Sequence, residues 1–507
     1  MRCRLLTLIL CLGVPASAED AEPPLIFFLK PDPESAKAIR AHVKRLNAGT
    51  RDQRRQHRAA LVDYGLWAVD PFLTATLHGR KANGDHRIRM GASMCLGGIR
   101  DSRGLVALRH AVGDENPWVR QTALLVLGQF ERSEDMLLLL SALQDKNVNS
   151  RHQPAAALAM ARLRSDIASG ELLSFAQKRR LDKHTLSACI VGVAISTAAI
   201  QDVWKLCSTH LGHDDKLVRR VAAASLMLRP DAILDLDALL KSIKRTRDEN
   251  VREYLYLAIA GMPRNDAIRE ALLDAVARGK GKVRIAAAIG LAKAWGEKKS
   301  YGRLRRLHRN LKNQEAGAVL FAMVRTGAPG AVDLLLKVGK DDLDRAFYAS
   351  GALGHLVYVQ SANERHPREE EIRKRFVELR ASGLRGAKGK RLKELLDKLI
   401  EFAWEKDRAV RRQKALEAFR EIGDPFNLHL WHLSLKERAQ DKVNRLLLPI
   451  LALDDIPDVG VSPKVGEGAP RAGTGDGAGV ASSSPEEGDL TDYLSSGYFQ
   501  REDFRGG

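Results

Sequence analysis

The chain has 507 residues, too many for one ordinary hydrophobic core. Hydrophobic residues make up 45% of it but aromatics only 5%, so the interior must be filled by Ala, Leu, Val and Ile, which suits closely packed helices. The formal net charge of +19 favours acidic surfaces or polyanions as partners and leaves the fold open.

Residues 1–18 read as a secretory signal peptide. Arg2 and Arg4 form a positive start, Leu5 to Val14 is an apolar run too short to span a bilayer, and Ala16-Ser17-Ala18 is a small-residue cleavage site. Cleavage there predicts an exported chain, periplasmic or secreted, with 80 basic and 63 acidic residues, a net of +17. No later run of eighteen apolar residues exists, so no transmembrane segment is expected after cleavage. Cys95, Cys189 and Cys207 remain, an odd number that makes no disulfide framework. Cys95 and Cys189 sit among apolar positions and are expected to pack in the core; a Cys189–Cys207 bridge is the alternative.

Residues 19–56 form an N-terminal capping segment. An irregular stretch to Pro33 precedes a helix from Ser35 to Asn47, with Ala38, Ile39, His42, Val43 and Leu46 on one face.

From residue 57 to 357 one pattern repeats. Counted from Val119, small or apolar residues fall at +3, +4, +7, +8 and +11: Thr122, Ala123, Val126, Leu127 and Phe130. This is one buried helical stripe. The same count works from His57, Ile88, His152, Thr185, Val218, Val251, Val283, Glu315 and Ala346, with Arg229 breaking the last place of the Val218 unit. Successive starts are 31 to 33 residues apart. Small residues dominate +3, +4 and +7, which lets helix axes approach to about 8–10 Å. Between stripes lies another helix, as in Glu134 to Leu143, Asp235 to Ile243 and Tyr301 to Leu311. Each unit is therefore a helical hairpin that buries its stripe only against its neighbours. The expected fold is all-α: an α-solenoid of about twelve helical hairpins with a disordered C-terminal tail.

Residues 358–453 are expected to be charged, irregular helical repeats and a C-terminal cap. Two charged helices, about Arg368 to Leu379 and Lys390 to Trp404, precede a return of the stripe at Arg411, with Ala415, Ala418, Phe419 and Ile422. The apolar segment Phe426 to Leu453 is expected to close the array. Residues 454–507 change abruptly to Gly, Pro, Ser and acids, with 11 acidic and 4 basic residues, and read as a disordered acidic tail.

The unit from Asp101 to Phe130, DSRGLVALRHAVGDENPWVRQTALLVLGQF, resembles the HEAT repeat, in the variety called HEAT-like repeats of phycobilisome lyases. The features carried are the Asp before the first helix, the acid-rich turn, the Val-Arg pair, and the Ala and Leu-Gly positions. Val218-Arg219, Val251-Arg252 and Val283-Arg284 repeat the pair, and Ile88-Arg89 is close to it. The resemblance implies a right-handed superhelix of antiparallel helix pairs, with second helices lining a concave face. It implies a scaffold rather than a particular activity.

Two sets of cations are candidate contacts. Arg89, Arg120, Arg219, Arg252 and Arg284 recur once per unit. They are either a positive ladder along the groove or, as preferred here, structural partners of acids such as Asp85, Asp114, Asp215 and Asp248 in the preceding turns. Denser clusters supply candidates for a polyanion or partner: Arg179 and Arg180; Arg305, Arg306 and Arg309; Lys388, Lys390, Arg391 and Lys393. Aromatic interleaving for base stacking is almost absent. No catalytic motif, metal-ligand spacing or cofactor fingerprint is found. The sequence therefore predicts an exported, non-enzymatic scaffold without cofactor that binds a protein partner, with acidic proteins among the candidates. The alternative is a basic solenoid for nucleic acid, anionic glycan or lipid headgroups.

Overall fold

The computed structural model describes residues 30–451 apart from 79–84, 146–151, 179–180, 295–297, 361–365, 403–404, 406 and 423–434. The expected signal peptide and acidic tail lie outside the described residues.

In chain order the helices are α1 (Pro33–Lys44), α2 (Arg51–Tyr64), α3 (Leu66–Ala68), α4 (Thr74–His78), α5 (His86–Ile99), α6 (Leu105–Ala111), α7 (Pro117–Gln129), α8 (Met136–Gln144), α9 (His152–Ala161), α10 (Asp166–Ala176), α11 (Lys183–Ile195), α12 (Ile200–His210) and α13 (Lys216–Leu228). They continue as α14 (Leu236–Arg245), α15 (Glu249–Ala260), α16 (Asp266–Arg278), α17 (Gly281–Ala294), α18 (Lys298–His308), α19 (Asn313–Arg325), α20 (Pro329–Leu336), α21 (Leu343–Gly354), α22 (Glu369–Ala381), α23 (Gly386–Phe402), α24 (Arg408–Glu421) and α25 (Leu435–Ile450). Among the described residues there is no strand.

The packing is two-layered. The odd-numbered helices from α5 to α23 lie side by side, each against the next. The even-numbered helices from α6 to α22 each cover the inner helix that follows them. This is an α-solenoid, and the stripe explains its repeat. Ala123, Ala156, Ala222 and Ala287 at +4, and Ala188 at +3, are buried between helices. A polar residue starts most inner helices. The side chains of Asp85, Asn116, Asp182, Asp215, Asp248, Asp342 and Asp407 each accept a hydrogen bond from backbone N–H of the first turn.

The array runs further than the regular stripe. Helix α23 packs on α21 as the next inner helix, and α24 follows on α23. Arg411, where the stripe resumes, is buried and pairs with the equally buried Glu369 at 3.2 Å, tying α24 to α22.

One expectation fails. Of the last apolar segment only residues 435–451 are described, and they do not cap the array. Helix α25 turns back and packs against α11 and α13, in the middle of the solenoid. The physical reason lies in those inner helices, which are apolar on more than the stripe side and need cover there as well.

Candidate functional site

An inner helix of a flat two-layer array has one face on its outer helix, two on its neighbours and a fourth in solvent. Here the fourth face is largely buried too, apolar at +6 and mostly polar at +2. Positions +2 and +6 lie one helical turn apart and outside the stripe. They carry Gln121 and Leu125 on α7, Pro154 and Leu158 on α9, Ser187 and Val191 on α11, and Glu253 and Leu257 on α15, all buried. On α13 they carry half-buried Arg220 and buried Ala224. The apolar +6 residues need cover on this face as well.

Helix α25 supplies the cover. Ala439, Val443, Leu446, Leu447 and Ile450 are buried at spacings of four, three, one and three residues, which is one stripe of a helix. The polar edge of the same site is fixed by two +2 residues. Lys442 on α25 forms an ion pair of 2.8 Å with Glu253 on α15, and its ammonium lies 5.8 Å from the ring centre of Tyr254. Burial, with the Glu253 charge adding to it, pushes the Tyr254 phenol up to about 12. At the other end Gln121 on α7 donates its amide N–H to the Leu451 carbonyl at 3.5 Å, the outer limit of a hydrogen bond.

These two contacts show how far α25 reaches. Lys442 and Leu451 are nine residues apart, about 14 Å along a helix. In a flat layer α7 and α15, four steps apart, would be separated by roughly 32–40 Å. Helix α25 and the side chains at its two ends together bridge α15 and α7 across the inner layer.

The fit is incomplete in its polar part. Gln121 Oε1, Ser187 Oγ and Glu253 Oε2 on the inner helices, and Asn444 Oδ1 on α25, are buried with no hydrogen-bond partner among the described residues. Three of these four are the +2 residues of α7, α11 and α15.

The recurrent arginines do not line this groove. Arg89 is buried in a two-point pair with Asp114. Arg120 donates to the carbonyls of Asp114 (2.6 Å) and Glu115 (3.0 Å) in its own preceding turn, and to His152 of the next unit. Arg219 does the same to His213 and Asp214. Arg284 donates to the Val276 carbonyl at 2.8 Å and pairs with Glu315. The Arg252 Nε is buried without a hydrogen-bond partner among the described residues. The acids divide the complementary work: Asp85 and Asp215 cap helices, while Asp248 caps α15 and also pairs with Arg220 of the preceding unit at 3.1 Å.

The denser clusters separate into spent and free cations. Lys388 pairs with Asp344 at 2.5 Å, and Arg391 stacks over the Phe347 ring at 4.6 Å. Arg305, Arg306, Arg309, Lys390 and Lys393 are exposed and have no acidic partner among the described residues. Arg179 and Arg180 lie outside the described residues. Among the described residues no group of three or more His, Cys, Asp or Glu could hold a metal ion, and no helix is long and apolar enough to cross a membrane. Cys95, Cys189 and Cys207 are free and buried.

Repeated helical hairpins stacked in two layers define the class of helical-repeat scaffolds. Within that class, residues 71–161 match the family model of HEAT repeats, so these units are HEAT repeats. The matched model is of HEAT repeats in general, not of the phycobilisome-lyase variety. No curated protein matches the chain significantly. Similar solved structures include an engineered protein, 16% identical, covering 75% of this chain and 98% of that one at a TM-score of 0.31. The karyopherin Kap121p bound to the SUMO protease Ulp1p is 12% identical, over 83% of this chain and 47% of that one, at 0.32. Kap95p, described as binding RanGDP, is 14% identical over 83% and 63%, at 0.35.

The +2 and +6 residues were the part of the site that the periodic stripe did not reveal. Their signal was present in doublets such as Leu124-Leu125 and Ile190-Val191, which a one-faced helix does not need.

Proposed function

We propose that the chain is an exported, non-enzymatic HEAT-repeat scaffold that holds a protein partner on the concave side of its inner helices. One observation carries the reading: that side accommodates an amphipathic helix, α25, through an apolar stripe and a polar edge. A surface that takes one helix by these means is suited to others of the same chemistry. The test is cross-linking of cells expressing the tagged mature chain, followed by identification of what it retains. A specific protein partner lost on Leu257→Glu is expected. A purified chain that turns over a substrate and retains no protein overturns the reading. For export, the first residues of the isolated chain are the test: an N-terminus at Glu19 is expected, and an intact Met1 rejects it.

A second reading, binding of a polyanion, is favoured by the exposed Arg305, Arg306 and Arg309 at the end of α18. Cations without acidic partners are available for phosphate or sulfate. Retention on heparin should weaken steeply with salt and fall on reversal of the three charges. Retention that ignores salt rejects it.

A further inference from the structure

We propose that the groove lined by α7, α11, α13 and α15 is a recognition site for a basic amphipathic helix of a second protein, and that α25 is a built-in occupant which that helix must displace. The inference rests on the scaffold reading and names its site, its partner chemistry and its control.

Three observations support it. The first is placement. Helix α25 follows α24 in sequence but packs on α11 and α13, so it is held by side-chain contacts rather than by continuity with the array. The second is charge. The groove's carboxylate is Glu253, and α25 meets it with Lys442, so a basic residue is what this edge accepts. The third is the shortfall in the fit. Gln121 Oε1, Ser187 Oγ and Glu253 Oε2 stay buried and without a hydrogen-bond partner among the described residues, and Gln121 reaches Leu451 only at 3.5 Å. A buried acceptor left unpaired weakens a complex. A helix that places Lys, Arg, Asn or Gln donors opposite these three positions binds better than α25 does. Against it, α25 has the advantage of being tethered, which acts as a high local concentration. That balance makes the groove selective: weak amphipathic helices stay out, and a well-matched one displaces α25.

The test uses the full chain. Val443→Glu with Leu447→Glu places two charges on the buried stripe of α25 and leaves every residue of the array unchanged. The probe is a labelled peptide of residues 435–451. It is expected to bind this opened variant at least tenfold more tightly than the wild-type chain. Adding Glu253→Lys to the opened variant should weaken the peptide about tenfold, and a peptide carrying Lys442→Glu should recover the loss. That recovery requires a folded groove, so a misfolded variant does not imitate it. Equal peptide affinity for wild-type and opened chains, or no response to Glu253→Lys, overturns the proposal. Extracts separate this from the broader reading. A protein captured equally by both chains keeps the scaffold function and overturns the control by α25. A peptide that binds as expected while neither chain captures any protein overturns the scaffold function and the second-protein occupant with it, and leaves α25 only as a displaceable helix.

Discussion

Arg89 donates two parallel hydrogen bonds into the carboxylate of Asp114, at 2.7 and 2.9 Å, across 25 residues of sequence. The two side chains are only 2% and 5% exposed, so the pair is a sealed joint between successive repeats. Removing Asp114 takes the two-point carboxylate from the buried Arg89 charge and leaves it the exposed Glu115 at 3.7 Å. Asp114→Ala should cost about 3–5 kcal/mol in equilibrium unfolding by urea. The double variant Arg89→Met with Asp114→Leu should lose much less, because no charge is then left buried. Equal losses for single and double variants would show that the joint is not electrostatic.

A glycine sets the closest approach of two inner helices. A Cβ at Gly128 on α7 would lie 2.6 Å from the Ala159 Cα on α9, backbone that cannot step aside. Gly128→Ala should therefore destabilise the chain by about 1–3 kcal/mol through overpacking. Gly170 on α10 has nothing within 4 Å of its Cβ position, and Gly170→Ala should stabilise by about 0.5–1 kcal/mol through helix propensity. Urea midpoints moving the same way for both would refute the argument from contact.

Burial pushes the thiols of Cys95, Cys189 and Cys207 up to about 12. Little thiolate forms near neutrality, and thiolate is the reactive species. Ellman's reagent at pH 8 should leave all three untouched in the native chain and titrate them once guanidinium unfolds it. Rapid native labelling of any of them would contradict the packing around it.

Histidines give the chain an acid-side weakness. Burial lowers the pKa of His57, His210, His308 and His366 below the ordinary 6.5. Neighbouring charge adds to the shift, from His42 on His57 and from His213 on His210. The unfolded chain takes up these protons near 6.5, while the folded chain does so only at lower pH. Between those values the unfolded state holds more protons, so stability rises with pH. The thermal midpoint should fall between pH 7.5 and 5.5, and His308→Gln should flatten the slope. A midpoint that rises on acidification in this window rejects the assignment.

The sequence marked the inner helices well because their signal is local. Small residues at +3, +4 and +7 are a condition on a single turn pair, and α5 to α21 follow them closely. The capping acids were equally legible, since a cap acts within three residues. The cationic clusters were less so. Composition placed Lys388 and Arg391 with Lys390 and Lys393, but packing committed the first two to Asp344 and Phe347 and left the others in solvent.

What the sequence determined by itself is the unit: a hairpin of about thirty-two residues that cannot bury its stripe alone. Only the tertiary structure decided where the last helix goes. The groove that α25 enters is lined by inner helices of several units, and that assembly is a property of the whole array. The residues meeting across it, Glu253 and Lys442, are 189 positions apart, with no pattern between them to announce the contact.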